Sequence, residues 1–254
     1  MEYANVIVER KGYIGILTIN HPPANAINIA TLEDINKALD ELEEDNNVRV
    51  VIFTGSGEKA FCSGFDLADA GRPDIALQAG QGTWTRIDRV AKPTIAAING
   101  FALGGGCELA LACHFRIMSE NPKAKIGLTE LNLGIIPGWG GTVRMTKLLG
   151  RSKALDLILF SKKIGAAEAL EAGLINKISP DVMKDAMDLA ELIAERPPVA
   201  VSCVLKAMDS LNYNGLNEGL KFERDGVKTV GRSADAHEGF AAFFERRKPD
   251  FKGE

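Results

Sequence analysis

Two glutamates in this chain lie far from any other charged residue, in sequence that is otherwise apolar or small. Residues 101–113 carry one charged side chain, Glu108, and the nearest charges flanking Glu130 are Lys125 and Arg144. A carboxylate in such surroundings is either buried for a function or exposed on a loop, because burying an unpaired charge costs free energy. Each of the two glutamates stands beside a glycine-rich turn, and this coincidence favours a functional site.

The glycine-rich turns have a physical use of their own. Residues 103–106 place three consecutive glycines between an uncharged strand-like run and an apolar helix, and residues 62–66 form a second turn around Gly64. Glycine lets a backbone approach a ligand without a Cβ in the way, and the first turn of a helix has free N–H groups and a partly positive end. Residues 103–106 therefore predict either a site for negative charge or, equally from this stretch alone, a helix packed tightly on a sheet.

Several common cofactor and nucleophile motifs are absent. The three glycines do not complete a dinucleotide-binding G-x-G-x-x-G pattern, because Leu109 takes the last position, and neither a P-loop nor a G-x-S-x-G elbow occurs. The three histidines, His21, His114 and His237, have no metal-ligand spacing, and we expect His114 to be a hydrogen-bonded polar group beside a helix end. The sequence therefore predicts neither a metal site nor a redox cofactor.

The composition is that of an ordinary globular protein. Among 254 residues, 46% are hydrophobic and 25% charged, and the formal net charge is −4. A small acidic excess argues against a general binder of nucleic acid or anionic membranes. No apolar run approaches the ~20 residues that span a bilayer, and the first residues do not resemble a signal peptide. The four cysteines show no C-x-x-C pair, which is typical of reduced thiols, so a cytoplasmic protein is expected.

A pattern of strand, turn and helix recurs through the first two thirds of the chain. A hairpin is predicted from residues 6–9 and 14–19, and buried strands from 49–54, 93–98, 115–119 and 125–128. Thr31 and Asp34 resemble a capping box that opens a helix. The final third has helical spacing at 181–196, 198–211 and 215–230, and Ser233 is expected to cap a last helix. This order favours an α/β body with an α-helical tail, which serves an oligomer interface or closes its own domain.

Five segments, in this order and at this spacing, resemble the crotonase superfamily, also called the enoyl-CoA hydratase/isomerase superfamily. Residues 60–67 contain the first glycine turn, 92–110 contain the second turn with Glu108, and 130–141 begin at Glu130. Residues 165–174 and the tail 244–249 also fit. Each segment alone is a weak signal, but together they cover nearly the whole chain and are highly specific, with the enoyl-CoA hydratases the most similar branch.

The resemblance implies a fold and a set of partners. The expected fold is α/β, a crotonase-type spiral of ββα units with a C-terminal helical trimerisation region. Residues 1–195 would form the spiral core with a CoA-thioester site, and residues 196–254 a helical region that mediates oligomerisation and closes the site. An acyl-CoA thioester is the implied substrate, a homotrimer or homohexamer the implied assembly, and no separate cofactor is expected because coenzyme A is part of the substrate.

The resemblance also assigns roles to individual residues. The backbone N–H groups of Phe65 and Gly105 would form an oxyanion hole for the thioester oxygen. Glu108 would activate a water for Cβ, and Glu130 would give a proton to Cα. Contacts with the substrate or its CoA moiety are expected from ten further residues: Ala60, Cys62, Gly64, Asp66, Leu67, Gly104, Gly106, Pro137, Trp139 and Arg246.

Glutamate at both positions favours a hydratase that adds water across the 2,3 double bond of an enoyl-CoA. Many isomerases of the superfamily lack the first glutamate, so a Δ3,Δ2-enoyl-CoA isomerase is the alternative, together with a hydratase of a cyclic dienoyl-CoA. A non-catalytic acyl-CoA-binding protein is a third possibility. Phe65 and Trp139 stand where smaller residues are common in the superfamily, and each is interpreted as lining the acyl pocket or as packing in the core.

Overall fold

A six-stranded sheet is the central layer of the computed structural model, which describes residues 2–254. Its strands, in spatial order, are β1 (Val6–Lys11), β2 (Ile14–Ile19), β3 (Val50–Gly55), β5 (Thr94–Ile98), β7 (Phe115–Ser119) and β9 (Lys177–Ser179). A second sheet contains β4 (Ala60–Cys62), β6 (Phe101–Leu103) and β8 (Ile126–Gly127). Only the β1–β2 hairpin among these pairs is antiparallel.

Ten α-helices surround the sheets in the described part of the chain. They are α1 (Ile29–Glu44), α2 (Pro73–Arg89), α3 (Gly105–Ala112), α4 (Gly141–Leu149), α5 (Arg151–Leu159), α6 (Ala166–Ala172), α7 (Val182–Ala194), α8 (Pro198–Asn214), α9 (Leu216–Val230) and α10 (Ala234–Glu245). Two short 3-10 turns, Leu67–Asp69 and Glu130–Leu133, follow β4 and β8. Within residues 2–254, no helix has the length and apolar character needed to cross a bilayer.

The central strands are mainly apolar because helices cover both faces of the large sheet. In β3, Val51 and Phe53 point into a core shared with α1 and α3, and Val50 and Ile52 point into a core shared with α7. Alternate side chains of a strand face opposite ways, so a strand buried on both faces carries no polar alternation. The strands predicted from uninterrupted apolar runs are confirmed.

A repeated ββα unit organises the body. Three times in succession, a strand of the large sheet leads to a strand of the small sheet and then to a helix, as β3–β4–α2, β5–β6–α3 and β7–β8–α4. The small-sheet strands are parallel, so their carboxyl ends lie at one edge. The turns that follow β4, β6 and β8 are therefore brought together at that edge, and the repeated unit implied by the resemblance is confirmed.

Two predictions about local structure need correction. The capping box at Thr31 and Asp34 is wrong, because α1 begins at Ile29 and Asn28 is its N-cap, accepting hydrogen bonds from the N–H (2.7 Å) and hydroxyl (2.8 Å) of Thr31. Asp34 instead accepts bonds from two backbone N–H groups of the N-terminal segment, both at 2.9 Å. The sequence patterns also missed β4, β6, α5 and β9, whereas the predicted cap of the last helix at Ser233 is confirmed.

The C-terminal helices leave a large apolar surface uncovered. Between α8, α9 and α10 lies an open groove of about 900 Å³, lined mainly by apolar side chains. Phe240, Phe243 and Phe244 of α10 are more than two-thirds exposed there. The expected boundary near residue 195 falls in the link between α7 and α8. The division into a core and a trimerisation region stays a prediction.

Candidate active site

The two glycine-rich turns meet at the edge of the small sheet. Gly64 has φ +101°, and a Cβ there would lie 2.8 Å from the carbonyl oxygen of Leu103 and 3.2 Å from the nitrogen of Gly105. A Cβ on Gly105 would in turn lie 3.4 Å from the nitrogen of Phe65. Only a glycine at position 64 permits both this backbone conformation and this close approach. The backbone N–H groups of Phe65 and Gly105 are consequently near neighbours.

Both of these N–H groups are free to bind a ligand. Within residues 2–254, neither donates a hydrogen bond to another group. The peptides on either side of Phe65 are fixed, because Ile27 accepts a bond from the N–H of Asp66 and donates one to the carbonyl of Gly64. Gly105 is the first residue of α3, where the helix dipole favours negative charge. Two fixed donors that converge at a helix N-terminus are suited to stabilise a developing oxyanion.

Glu108 lies in the first turn of α3 and is 2% exposed. Its Oε1 accepts hydrogen bonds from the backbone N–H groups of Trp139 and Gly141, both at 2.8 Å, in the loop that leads into α4. Burial raises the pKa of Glu108 to about 7, and nearby Glu130 adds to this, whereas the two N–H bonds oppose it. Glu108 can therefore exchange a proton near neutral pH.

Glu130 begins the 3-10 turn that follows β8, at the same edge of the small sheet as the two glycine turns. A Cβ on Gly104 would lie 3.0 Å from its Oε1, so the carboxylate borders the second glycine turn. Its Oε2 is buried without a hydrogen-bond partner among the described residues. Burial raises the pKa of Glu130. One carboxylate with a fixed oxygen and one with a free oxygen occupy different environments, which suits them to different roles in proton transfer.

Trp139 packs between α2 and α3 and is 5% exposed. Its ring makes edge-on contacts with the rings of Phe65 (centroids 5.8 Å apart) and Trp84 (5.5 Å). Its Nε1 donates to the carbonyl of Ala76 at 3.1 Å, and Trp84 Nε1 donates to the carbonyl of Gly105 at 3.1 Å. Of the two interpretations of Trp139, core packing is what the structure shows, and the packed ring also borders the oxyanion turn.

The remaining predicted contact residues divide into two groups. Ala60, Cys62, Gly64, Gly104, Gly106 and Pro137 are buried in or beside the turns and the loop that surround the two glutamates. Asp66 caps the 3-10 turn after β4, accepting a bond from the N–H of Ala68 at 2.9 Å, and Leu67 is 62% exposed. Arg246 is exposed at the end of α10 and makes no hydrogen bond or ion pair through its side chain with residues 2–254. Their contacts with a substrate stay predictions.

Two residues of the site were missed by the motifs. Gly141 donates to Glu108, and Arg144 donates to the carbonyl of Trp139 at 2.8 Å. The signal for Gly141 was its position at the start of a helix, directly after another glycine, where free N–H groups are expected. Arg144 stands one turn later on the same helix, and the sequence showed it only as the nearest charge after Glu130.

The histidines and cysteines stand apart from this chemistry. In the described chain, no three side chains of His, Cys, Asp or Glu are grouped in a way that could hold a metal ion. His114 Nδ1 is hydrogen-bonded to Thr94, as predicted for a structural histidine, but its Nε2 is buried without a partner. Burial lowers the pKa of His114 to about 4.

Comparison with known proteins gives a consistent result over nearly the whole chain. Residues 9–254 match the family described as enoyl-CoA hydratase/isomerase. A probable enoyl-CoA hydratase of Bacillus subtilis is 43% identical over 251 residues, which cover 95% of this chain and 96% of that protein. A short-chain-enoyl-CoA hydratase of Clostridium acetobutylicum is 39% identical over 98% of this chain and 97% of that one.

A solved structure extends the similarity to three dimensions. The 1.8 Å crystal structure of an enoyl-CoA hydratase from Bacillus anthracis superposes with a TM-score of 0.93 at 40% sequence identity. The match covers 99% of this chain and all of that one. An identity at this level over complete chains indicates common descent as well as a common fold.

Proposed function

Because the chain belongs to the enoyl-CoA hydratase/isomerase family, we propose that it is a lyase that adds water across the 2,3 double bond of a 2-enoyl-CoA thioester. The observation that carries this proposal is the pair formed by the buried Glu108 and the half-buried Glu130, beside two free backbone N–H groups. Burial raises the pKa of both carboxyl groups, that of Glu108 to about 7, so each holds a proton to a higher pH than an exposed glutamate does.

The thioester oxygen would accept hydrogen bonds from the N–H groups of Phe65 and Gly105. When water attacks Cβ, electron density moves through Cα to this oxygen, which becomes enolate-like. Donors that are already fixed stabilise this charge without reorganisation, and losing one such donor costs about 3 kcal/mol of transition-state stabilisation. Three hydrogen bonds support this role because they fix the surrounding peptides: the N–H of Ile27 donates to the Gly64 carbonyl, the N–H of Asp66 donates to the Ile27 carbonyl, and Trp84 Nε1 donates to the Gly105 carbonyl.

Glu108 would act as the general base. Its Oε1 is held by two N–H groups, so Oε2 is left to accept a proton from the water as the new C–O bond forms at Cβ. Glu130 would give its proton to Cα from the side of its unpaired oxygen. One proton is taken and one is given in each addition, and exchange between the two acids or with solvent returns them to their starting states.

Substitution of each glutamate tests the mechanism. With crotonyl-CoA, Glu108→Gln and Glu130→Gln should each lower kcat by about 10²-fold or more, the usual contribution of a general acid or base. Glu171→Gln, at an exposed position of α6, is the matched control and should keep full activity. A double glutamine variant that turns over at the rate of the unmodified protein would overturn the proposal.

Isomerisation of a Δ3-enoyl-CoA is the second candidate. It is favoured by one observation: of the two glutamates, Glu130 is the one with a buried oxygen that has no partner, and one acid is enough to carry a proton between two carbons of the same substrate. In that case Glu108→Gln would leave most of the isomerase activity. A turnover screen over straight-chain, branched and cyclic enoyl-CoAs and dienoyl-CoAs, run with this variant, separates the two reactions; binding of all of them without turnover would indicate a non-catalytic protein.

The assembly and the contact with coenzyme A belong to the same proposal. A homotrimer or homohexamer is supported by the exposed phenylalanines of α10, since a soluble chain rarely leaves so large an apolar surface uncovered. Arg246, exposed and unpaired among the described residues, is proposed to contact a phosphate of coenzyme A. No separate cofactor is proposed, and the cytoplasmic location stays a prediction.

A further inference from the structure

Arg144 makes an unusual set of contacts behind the candidate site. Its side chain is 11% exposed and its Nη1 donates to the carbonyl of Trp139 at 2.8 Å. Its Nε donates to Oδ2 of Asp88 at 2.9 Å, and its Nη2 lies 3.4 Å from the hydroxyl of Thr85. The guanidinium therefore joins the loop before α4 to the last turns of α2.

The Trp139 carbonyl lies between the two N–H groups that bind Glu108. Along the backbone, the N–H of Trp139, its carbonyl and the N–H of Gly141 are all fixed, the two donors by Glu108 and the carbonyl by Arg144. Gly140, between them, has φ +102°, and a Cβ there would collide with the guanidinium of Arg144. The arginine thus packs directly against the turn that aims both donors at Glu108.

This set of contacts extends to the C-terminal helices. The Tyr213 hydroxyl on α8 donates to the same Asp88 oxygen that accepts the bond from Arg144. The Tyr213 ring lies between two cations, with Arg89 at 3.8 Å and Lys147 at 4.7 Å from its centroid. Asp88 is therefore held from α4 and from α8 at once.

We propose that Arg144 is a positioning residue for Glu108, acting through the Trp139 carbonyl, and that Asp88 and Tyr213 link this support to the C-terminal helices. The proposal rests on the proposed role of Glu108 in the hydratase reaction. Arg144 touches neither the substrate nor the reacting atoms. Its effect is to keep two N–H donors on one oxygen of Glu108, so that the other oxygen is aimed at the water.

The charged groups around Glu108 give this role a distinctive signature. Glu130 faces it from the turn after β8, Arg144 from α4, and the Cys107 thiol from its own helix. The two N–H bonds and the charge of Arg144 lower the pKa of Glu108 against the effect of burial. Loss of Arg144 removes the charge and loosens both donors, so the pKa of Glu108 rises. A base must be ionised to act, so the acidic limb of the pH profile moves to higher pH.

The test is the pH dependence of kcat/KM for crotonyl-CoA in Arg144→Gln and Arg144→Lys. We expect the acidic limb to move up by about one pH unit in Arg144→Gln, so that kcat/KM falls about fivefold at pH 7 and recovers at higher pH. The loss should lie in kcat, with KM changed less than twofold. Arg144→Lys keeps the charge and should show a smaller movement, and Tyr213→Phe a smaller one still in the same direction.

Arg86→Gln is the matched control. Like Arg144, Arg86 is held in ion pairs, but it extends from α2 to Asp40 and Glu43 of α1, away from the loop before α4. Its pH profile should coincide with that of the unmodified protein. A folded Arg144→Gln protein with an unchanged acidic limb overturns the inference, provided that Glu108→Gln abolishes turnover. If Arg144→Gln does not fold, an unchanged limb in Arg144→Lys overturns it instead. Full activity in Glu108→Gln contradicts the proposed function itself, so the two failures are distinguishable.

Discussion

Glu108 is an acid that the fold buries at a cost. Burial raises its pKa to about 7 from an ordinary value of 4.5, so between these pH values the folded chain binds a proton that the unfolded chain has lost. The contribution of Glu108 to the free energy of unfolding is therefore fully present at low pH, where the residue is protonated, and is lost as the pH rises through about 7. The loss amounts to about 3 kcal/mol at alkaline pH.

Glu108→Gln should remove this cost while keeping the shape of the side chain. At pH 8 we expect the variant to melt several degrees above the unmodified protein. At pH 3.5, below the ordinary pKa of 4.5, Glu108 is protonated in both the folded and the unfolded chain, and the two melting temperatures should agree. Thermal melts followed by circular dichroism at both pH values measure this. Glu171→Gln, at an exposed position, should show no such difference, and an equal effect of Glu108→Gln at both pH values would contradict the assignment.

The sequence was informative about the two residues Glu108 and Glu130, but it did not show which groups hydrogen-bond to them. A charge isolated in apolar sequence is visible without a structure. At one edge of the small sheet, Glu108 proved to be buried and Glu130 half-buried with one buried oxygen. The bonds from Trp139 and Gly141 to Glu108 join residues 31 and 33 positions apart. Such contacts depend on how a loop closes against a helix, and no local pattern encodes them.

The two N–H donors, of Phe65 and Gly105, lie in glycine turns from different ββα units. Their alignment therefore depends on how these units pack against each other. Gly64→Ala places a Cβ 2.8 Å from the Leu103 carbonyl, and the turns must separate. We expect kcat for crotonyl-CoA to fall about 10²-fold, as when one oxyanion donor is lost, with a smaller change in KM.

Gly57→Ala is the matched control for this prediction. Gly57 also has a positive φ, +75°, but a Cβ there meets nothing within 4 Å. It should therefore lower stability by about 1 kcal/mol through backbone strain and leave kcat unchanged. Equal losses of activity in the two variants would show that strain, and not the junction of the turns, explains the effect of Gly64→Ala.

The elements were predicted well where one physical rule dominates. β3 and β5 are buried on both faces, and their apolar runs have no competing interpretation. The start of α1 was misplaced because Thr31 and Asp34 satisfy the spacing of a capping box, whereas Asn28 is the residue whose side chain binds the free N–H. Asp34 is occupied by the N-terminal segment, a partner more than 25 residues away that local spacing cannot show.

For the whole molecule, the main open surface lies on α8, α9 and α10. The sequence predicted a helical tail but left open whether it serves an oligomer interface or closes its own domain. Phe243 and Phe244 are 78% and 79% exposed, so the chain itself does not cover them. Both rings line the apolar groove of about 900 Å³, and contiguous exposed apolar surface of this kind typically marks an interaction site.

We therefore expect the purified protein to sediment as a trimer or hexamer. The double substitution of Phe243 and Phe244 by Glu should shift the equilibrium toward smaller species in analytical ultracentrifugation, because charge in an apolar interface is costly. Leu192→Glu, at an apolar position of α7 that is 59% exposed and lies outside the groove, is the control and should leave the assembly intact. A monomeric unmodified protein would contradict the prediction.

The converging N–H groups of Phe65 and Gly105 belong to the backbone, and this has a consequence for how the protein can change over time. At position 65 the side chain can be exchanged without removing the donor, because among the common residues only proline lacks the N–H. Position 105 is confined to glycine, since a Cβ there would lie 2.6 Å from the Trp139 ring. Phe65 illustrates this, because its ring packs against Trp139 while its N–H stays free. Mutation can therefore reshape the wall of the site by small steps while the groups that stabilise charge are inherited unchanged.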